Sequence, residues 1–413
     1  MRNFVFLLSL LFVSSDLFAC TYAQVAKPVV GEPNVFLDCN VCDFNYIRTH
    51  VRFVNYVRNR DEAQVQVLVT TMPTGSGGTQ FTLIFLGRES FTGMDDTLRY
   101  ESRPSQSWDK TRQGVANTLS LGLVRYADQT PIGKYLSVNV SKAGASTVVR
   151  DRWDHWVFSV SANGYLNGQS LTSQNSWSGR VSASRTTAQS KFLFTAGTGY
   201  SESHYIASSQ DVIAISRNQD LQAMGALSLG GHWSAGGIVS SSSSTYNNEK
   251  AAISLSPEIE YDIFPYSQST MRQLRFRYEL GYDYYRYYAQ TIFNKFSDHL
   301  TSQGLSVILN LTQPWGSINA SLNGANYFYN FAKNHLQFYT QLSLSLSQGL
   351  SLNLSGAVSM IHDQLSLPQS GATTHQILLQ QTELATQYSY WTAFGVSYTF
   401  GSIYNDVVNP RLW

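Results

Sequence analysis

Over most of its last two-thirds the chain alternates polar and apolar residues, and a period of two restricts it to strands with one apolar face. Leu336, Phe338, Leu342, Leu344 and Leu346 interleave with Gln337, Tyr339, Gln341, Ser343, Ser345 and Ser347. Leu352, Leu354, Val358 and Met360 follow against Ser351, Asn353, Ser355 and Ser359, and the same dyad runs through 253–263, 274–284, 305–311 and 388–400. A soluble sandwich produces this pattern too, so alternation alone does not decide. Segment length does: about 9 to 16 residues is the span of a tilted membrane-crossing strand, whereas strands of soluble domains run about 5 to 6. Tight turns at 229–233, 265–269, 313–316 and 347–350 alternate with longer polar loops at 240–250, 289–301 and 363–385. Aromatic residues, among them Trp315, Tyr282, Tyr284, Tyr288 and Tyr329, gather at segment ends. Short turns on one side, long loops on the other and aromatic girdles describe a mostly β chain ending in a transmembrane antiparallel β-barrel.

Twelve segments are counted, near 155–165, 174–186, 190–202, 208–228, 232–244, 250–264, 272–288, 302–313, 316–329, 334–347, 350–362 and 386–401. An even number returns both ends of the barrel to one side; ten and fourteen are the neighbouring counts. Pro257, inside the sixth segment, removes a ladder hydrogen bond, and a bulge is expected there.

Charge divides the chain. From 24 to 137 there are 23 charged residues in 114, a soluble domain's density; from 138 to 413 there are 30 in 276. In the first stretch Val35–Leu37 reads as a strand, and Asp43 can cap a helix carrying Ile47, Val51, Val54 and Val57. Strands follow near 64–71, 81–86 and 97–101, the first two joined by a Gly75–Gly78 turn, and then a helix over 108–126. This β-α-β-β-β-α order predicts a small α+β domain. Arg48, Arg52, Arg58 and Arg60 are read as the solvated surface of the first helix, with contact to a partner as the alternative.

Ahead of it, Arg2 and the apolar run 4–13 lead to Thr21-Tyr22-Ala23, a secretory signal peptide over 1–23. Leu17-Phe18-Ala19-Cys20 also resembles a lipobox, though Phe18 is bulky for one. The run is too short to cross a membrane as a helix, which takes roughly 20 residues. A net charge of +1 and no Lys/Arg cluster exclude nucleic acid as the expected partner. Export leaves two cysteines, Cys39 and Cys42. A lone Cys-x-x-Cys admits three readings: a structural disulfide, a reduced pair, or a redox site.

Gly395-Val-Ser-Tyr398-Thr-Phe400 resembles the carboxy-terminal insertion signal of outer-membrane barrels, with Gly395, Tyr398 and Phe400 as its marked positions and Ala393 where the family prefers a polar residue. The tail 401–413, with Phe36-Leu-Asp-Cys39 opening the front domain, resembles a family of exported outer-membrane β-barrel proteins of diderm bacteria that carry an N-terminal periplasmic α+β domain. The front domain's strand order is loosely similar to that of the amino-terminal domain of the Tol translocation protein. The resemblance implies an outer-membrane location, a periplasmic front domain, outer-membrane lipids as surroundings and the barrel-assembly machinery as the inserting partner. It carries no activity.

Following the pleat, Ile253, Leu255, Ile259, Tyr261 and Ile263 face lipid, so Glu258, Glu260 and Asp262 face the lumen. On the next strand Leu274, Phe276, Tyr278, Leu280 and Tyr282 face out, and Arg275, Arg277, Glu279 and Asp283 face in. Across the turn Asp262 is expected opposite Arg275 and Glu260 opposite Arg277. Arg180 and Arg185 are expected to add to the lumen charge. Such pairs either fill and stiffen a narrow barrel or form a charged constriction. None of the eight histidines (50, 155, 204, 232, 299, 335, 362 and 375) sits in a nucleophile motif with a serine, and no cofactor-binding or metal-ligating pattern appears. A phospholipase-like enzyme is therefore the least favoured class. Ahead of it stand a barrel whose periplasmic domain docks a partner, for assembly, anchoring or export, and a small-solute channel; a simple porin has no need of 114 residues before its barrel.

Overall fold

The computed structural model describes residues 31–75, 77–137, 151–207, 210–347, 349–371 and 382–401. The signal peptide, Cys20, His375 and the tail beyond Gly401 lie outside the described residues.

The front region is a five-stranded sheet in the order β2-β1-β3-β4-β5. Its strands are β1 (Asn34–Asp38), β2 (Asn55–Tyr56), β3 (Val65–Pro73), β4 (Thr79–Gly87) and β5 (Asp96–Glu101). β1 pairs in parallel with β2 and β3; β3, β4 and β5 are antiparallel. The alternate residues Val65, Val67, Val69, Phe81, Leu83 and Phe85 form one core with helices α1 (Phe44–His50) and α2 (Trp108–Ala127). α2 contributes Val115, Leu119, Leu123 and Tyr126, at helical spacing. It comes close because Gly122 has no side chain: a Cβ there would lie 2.1 Å from the Phe85 ring.

α1 is shorter than the valine spacing predicts, stopping at His50. Thr49 and His50 both turn their side chains back onto the Tyr46 carbonyl, and Arg52 onto that of Thr49, so side chains close the last turn. Val51, Val54 and Val57 reach the core from beyond the helix, around the short β2 that the sequence reading lacked. Asp43 caps α1 by accepting from the Tyr46 amide at 2.9 Å, and its other oxygen receives Arg112 of α2 at 2.7 Å. Cys39 and Cys42, between β1 and that cap, are joined in a disulfide.

The second sheet is a twelve-stranded meander in chain order: β6 (Trp156–Gln169), β7 (Thr172–Thr186), β8 (Ser190–Ala207), β9 (Gln210–Ser228), β10 (Trp233–Ser244), β11 (Glu249–Asp262), β12 (Arg272–Tyr287), β13 (Ser297–Gln313), β14 (Gly316–Tyr327), β15 (Asn330–Ser347), β16 (Leu350–Ile361) and β17 (Tyr388–Tyr398). The twelve segments of the sequence reading are these twelve strands. β13 begins earlier than expected, at Ser297, because alternation continues through Asp298 and Leu300. Pro257 makes no bulge. The β11–β12 ladder omits Ser256 and Pro257 and resumes in the same register at Glu258↔Glu279, so the missing N–H leaves a gap and no shift. The register shift of this pair falls at Glu249/Ala251.

The sheet is inside out relative to a soluble protein. On β11 to β13 and β16 the polar residues Asp262, Asp283, Ser306 and Ser359 are buried, while Ile259, Tyr278, Leu305 and Met360 on the same strands are exposed. Only a sheet curled around its polar face buries that face and leaves the apolar one bare. Trp156, Trp233, Trp315 and Tyr398 stand toward one end of the exposed face and Tyr282, Tyr288, Tyr329 and Tyr388 toward the other. Among the described residues no ladder joins β6 to β17, the two edges.

The Asp43 carboxyl is held below the ordinary carboxylate range, first by the Tyr46 amide and then by Arg112. A depressed folded-state pKa stabilises above the unfolded value of about 4 and is lost as pH falls through the folded one. Asp43→Ala is expected to cost about 1 kcal/mol at neutral pH. The loss should shrink below about pH 4, as read by hydrogen exchange of the α1 amides against pH.

Candidate functional site

The site has two parts: the charged stripe on the polar face of β11 and β12, and the face of the front sheet turned away from its helices, which reaches the turn joining those strands. The registers Glu260↔Arg277 and Asp262↔Arg275 put Glu258, Glu260, Asp262, Arg275, Arg277, Glu279 and Asp283 on one face. The ion pairs run diagonally, one step from the register. Arg275 Nη1 reaches Glu260 at 3.5 Å and Arg277 Nε reaches Glu258 at 3.6 Å, both longer than the roughly 2.7–2.9 Å of a close charged hydrogen bond. Asp262 is not paired with Arg275. Its Oδ1 accepts from the Phe264 and Leu274 amides, both at 3.0 Å, latching the turn, so the carboxylate is fully buried with Oδ2 unbonded.

Further along the stripe Asp283 accepts from Ser302 at 3.0 Å. Glu279 lies across Gly304, where a Cβ would sit 2.6 Å from its Oε1. The turn after β11 folds inward: the Tyr266 hydroxyl meets Ser234 at 2.7 Å and Glu260 at 3.4 Å. Asp220 on β9, absent from the sequence reading, lies over Gly197 on this same polar face. Arg180 and Arg185 do not both face the lumen. Five residues apart on one strand, they take opposite faces, and Arg185 sits opposite Trp156 and Phe192 with Asp154 at 2.9 Å. Gly395 lies on the polar face opposite Asn353, Tyr398 on the apolar face opposite Leu350, and Phe400, beyond β17, is exposed.

β3 is buried on both faces. Val65, Val67 and Val69 meet the helices; Gln66, Leu68, Thr70 and Met72 point the other way, onto the turns at the near end of the twelve-stranded sheet. Gln66 and Arg60 donate to the Pro314 carbonyl at 3.3 and 3.5 Å, and the Ser269 hydroxyl lies 3.6 Å from Met72 Sδ. Arg58 donates to the Gly401 carbonyl at 3.3 Å, and at the β3–β4 hairpin a Cβ on Gly75 would meet Thr186 at 2.7 Å. Contacts thus run from the β13–β14 and β11–β12 turns across to the end of β7, and the front domain spans the mouth. Arg58 and Arg60 are therefore not a solvated helix face: they lie after β2 and hold the second sheet.

Between β1, β3 and those turns is a cavity of about 150 Å³, lined in part by Asp38, Leu68, Gln313 and Ser343. Burial there pushes the Asp38 carboxyl up, against the lowering influence of Arg60. At the far end the segment 362–371 packs on the loops that follow β10 and β12. Leu365 and Leu367 are buried, Ile292 donates to the Leu367 carbonyl at 2.9 Å, and Asn248 donates to the Ser366 carbonyl at 2.8 Å. The described start of the loop after β16, expected to be polar, buries its alternate leucines Leu365 and Leu367.

Among the described residues no group of three His, Cys, Asp or Glu is placed to hold a metal ion. His232 bonds the Asp262 carbonyl, His299 the Tyr282 hydroxyl and His335 the Asp363 carboxylate. The double burial of β3 is not legible in its sequence, because Gln66 and Thr70 alternate with valines as on a half-solvated strand, and Leu68 between them is the one apolar hint of a covered second face.

No family model and no curated protein matches the chain. Solved structures similar to it include the NanC porin (8% identity, TM-score 0.27, covering 58% of this chain and 99% of that one). Another is the translocator domain of the autotransporter NalP from Neisseria meningitidis (11% identity, TM-score 0.21, covering 59% and 87%). Likeness this slight carries no argument about activity.

Parity gives a direct check. Cysteines replacing Glu258 or Arg277 should react with a water-soluble thiol reagent once the front domain is displaced, and cysteines replacing Ile259 or Phe276 with a lipid-soluble one. The reverse pattern would mean that the facing is wrong.

Proposed function

We propose that the chain is an integral outer-membrane barrel whose own periplasmic domain stoppers a narrow, charge-lined lumen, so that passage of small solutes waits on movement of that domain. The observation behind this reading is the burial of both faces of β3, with Gln66, Arg60, Met72 and Arg58 set against the barrel's turns. The exposed apolar face suits outer-membrane lipid, and a bilayer core excludes unpaired strand edges, so the reading includes closure of β6 on β17. Insertion by the barrel-assembly machinery through β17 and its aromatic end belongs to the same proposal. No catalytic step is part of it. A second reading, docking of a periplasmic protein for anchoring or export, is favoured by Trp108 and Leu121, which stand exposed on α2 away from the barrel.

The protein is expected in the outer-membrane fraction with heat-modifiable migration on gels; recovery as a soluble periplasmic protein would refute the reading. In planar bilayers the full chain should stay near zero conductance with infrequent openings. Met72→Cys with Ser269→Cys, once oxidised, should abolish the openings, and reduction should restore them. Steady conductance with that lock closed would remove the stopper. Asp38 has a raised carboxyl pKa, so the seated form gains stability as pH falls through that value and loses it as pH rises. Openings should therefore become more frequent from acid to neutral pH, and Asp38→Asn should weaken that dependence.

A further inference from the structure

The front sheet ends in a free edge. Among the described residues β5 pairs with β4 alone. The Ser102 amide donates to the Thr79 carbonyl at 2.9 Å, and the backbone of an antiparallel strand alternates in direction. Leu98 and Tyr100 therefore bond β4, while Thr97, Arg99 and Glu101 turn their N–H and C=O groups outward. The Thr97 amide is taken up by the Asp96 carboxylate at 2.7 Å, which leaves Arg99 and Glu101 as the open donors of the edge.

Helix α2 lies along β5 and runs in the opposite sense. Near its start the Tyr100 hydroxyl donates to the Lys110 carbonyl at 3.5 Å, and the Tyr100 ring occupies the space that a Cβ on Gly114 would take. Near its end Arg125 meets Asp96 at 3.7 Å and the Tyr126 hydroxyl bonds the Met94 carbonyl. Between Tyr100, the turn after β5 and the first turns of α2 is an open groove of about 460 Å³, lined in part by Arg103, Gln106, Lys110, Gln113 and Asn117. No carboxylate is among its lining residues. The acids close by in sequence are engaged elsewhere: Asp96 with Arg125, Asp109 with Arg112, and Glu101 with the Gln80 amide at 2.8 Å. Arg99, Arg103 and Lys110 enter no ion pair among the described residues. Leu121, exposed, stands four residues past Asn117 on the same stripe of the helix.

A free edge takes an extended chain through main-chain hydrogen bonds, and the side chains beside it choose which chain. Here the cations match carboxylates, and the Gln113 and Asn117 carboxamides match peptide groups. A basic segment would meet like charge, and so would β5 of a second copy, which brings its own Arg99 and Arg103. A small free anion would use the cations and leave the edge unpaired. We infer that β5 and α2 form the receiving site for an acidic, extended segment of a periplasmic protein, bound by strand addition to β5. This deepens the docking reading and rests on its placement of the front domain in the periplasm; the stopper does not depend on it.

The test is fluorescence anisotropy on the full chain in non-ionic detergent, folded by the criterion of heat-modifiable migration, with labelled acetyl-Thr-Val-Asp-Val-Glu-Val-Thr-amide as the probe. Its counterpart with Asn and Gln in place of Asp and Glu should bind about tenfold more weakly. N-methylation of alternate amides should cost about tenfold in one parity and little in the other, because only one set faces β5. Arg103→Gln and Lys110→Gln should each weaken the acidic peptide about threefold. Glu101→Pro removes an outward N–H together with a negative charge. By charge alone it would tighten an acidic peptide, so a loss of about tenfold reports the backbone. The inference is overturned if the acidic peptide does not bind, if the uncharged form or both N-methylated forms bind as tightly, or if polygalacturonate, an acidic glycan, binds in its place. Lock-dependent conductance without peptide binding would remove the receiving site and leave the stopper. Peptide binding by a protein whose Lys110→Cys variant is labelled from outside intact cells would keep the strand-addition site and overturn its periplasmic partner.

Discussion

Every second side chain of the long sheet faces the same way, and the charges on β11 and β12 decide which way is in. The seven from Glu258 to Asp262 and from Arg275 to Asp283 are flanked by Ile, Leu, Phe and Tyr, with Pro257 beside Glu258, so sliding either strand by one residue would put its carboxylates and guanidinium groups on the apolar face. In a bilayer each such cation would cost roughly 2–4 kcal/mol near the midplane. The register of this hairpin is thereby set, and through the ladders on either side so is the facing of all twelve strands. The buried polar and exposed apolar residues are consequences of that one parity.

The front domain answers a different requirement. A sheet with helices on one side has a second face to cover, and here the covering surface is the ring of turns at one end of the meander. The contacts are mostly polar and run largely to backbone carbonyls, at Pro314 and Gly401, with a cavity beside them. Such an interface holds a domain in place without making it part of the core, whose apolar side is spent on α1 and α2. At the opposite end Leu365 and Leu367, after β16, are buried, and their segment bonds the loops that follow β10 and β12.

Several features were legible from residue order alone. Twelve alternating segments, the α2 helix with Val115, Leu119 and Leu123, and the Asp43 cap all depend on neighbours within a few positions, where periodicity and capping chemistry act directly. Other features misled for reasons that are equally local. Val51, Val54 and Val57 keep helical spacing, but β-branched residues also suit strands, and side-chain bonds onto the Tyr46 carbonyl end α1 at His50. Pro257 looked like a bulge because it lacks a donor, yet the ladder tolerates a gap. Arg185 was grouped with Arg180 by charge, although a separation of five residues on a strand already forbids a shared face.

The sequence by itself determined the strands, their number, their two faces and the charge each face carries, because these follow from a period of two and from the free energy of placing charge against hydrocarbon. A change in charge density also marked off the α+β region ahead of the long strands. Only the tertiary structure decided that this unit lies across the turns at one end of the sheet, that the Arg–Glu pairs run diagonally, that Asp262 binds backbone amides, and that the second face of β3 is buried. The first of these rests on hydrogen bonds between residues from 197 to 343 positions apart, Met72 to Ser269 and Arg58 to Gly401, and the pairings of Arg275, Arg277 and Asp262 lie within one hairpin. Each turns on which buried donor meets which acceptor, and no local pattern records that choice.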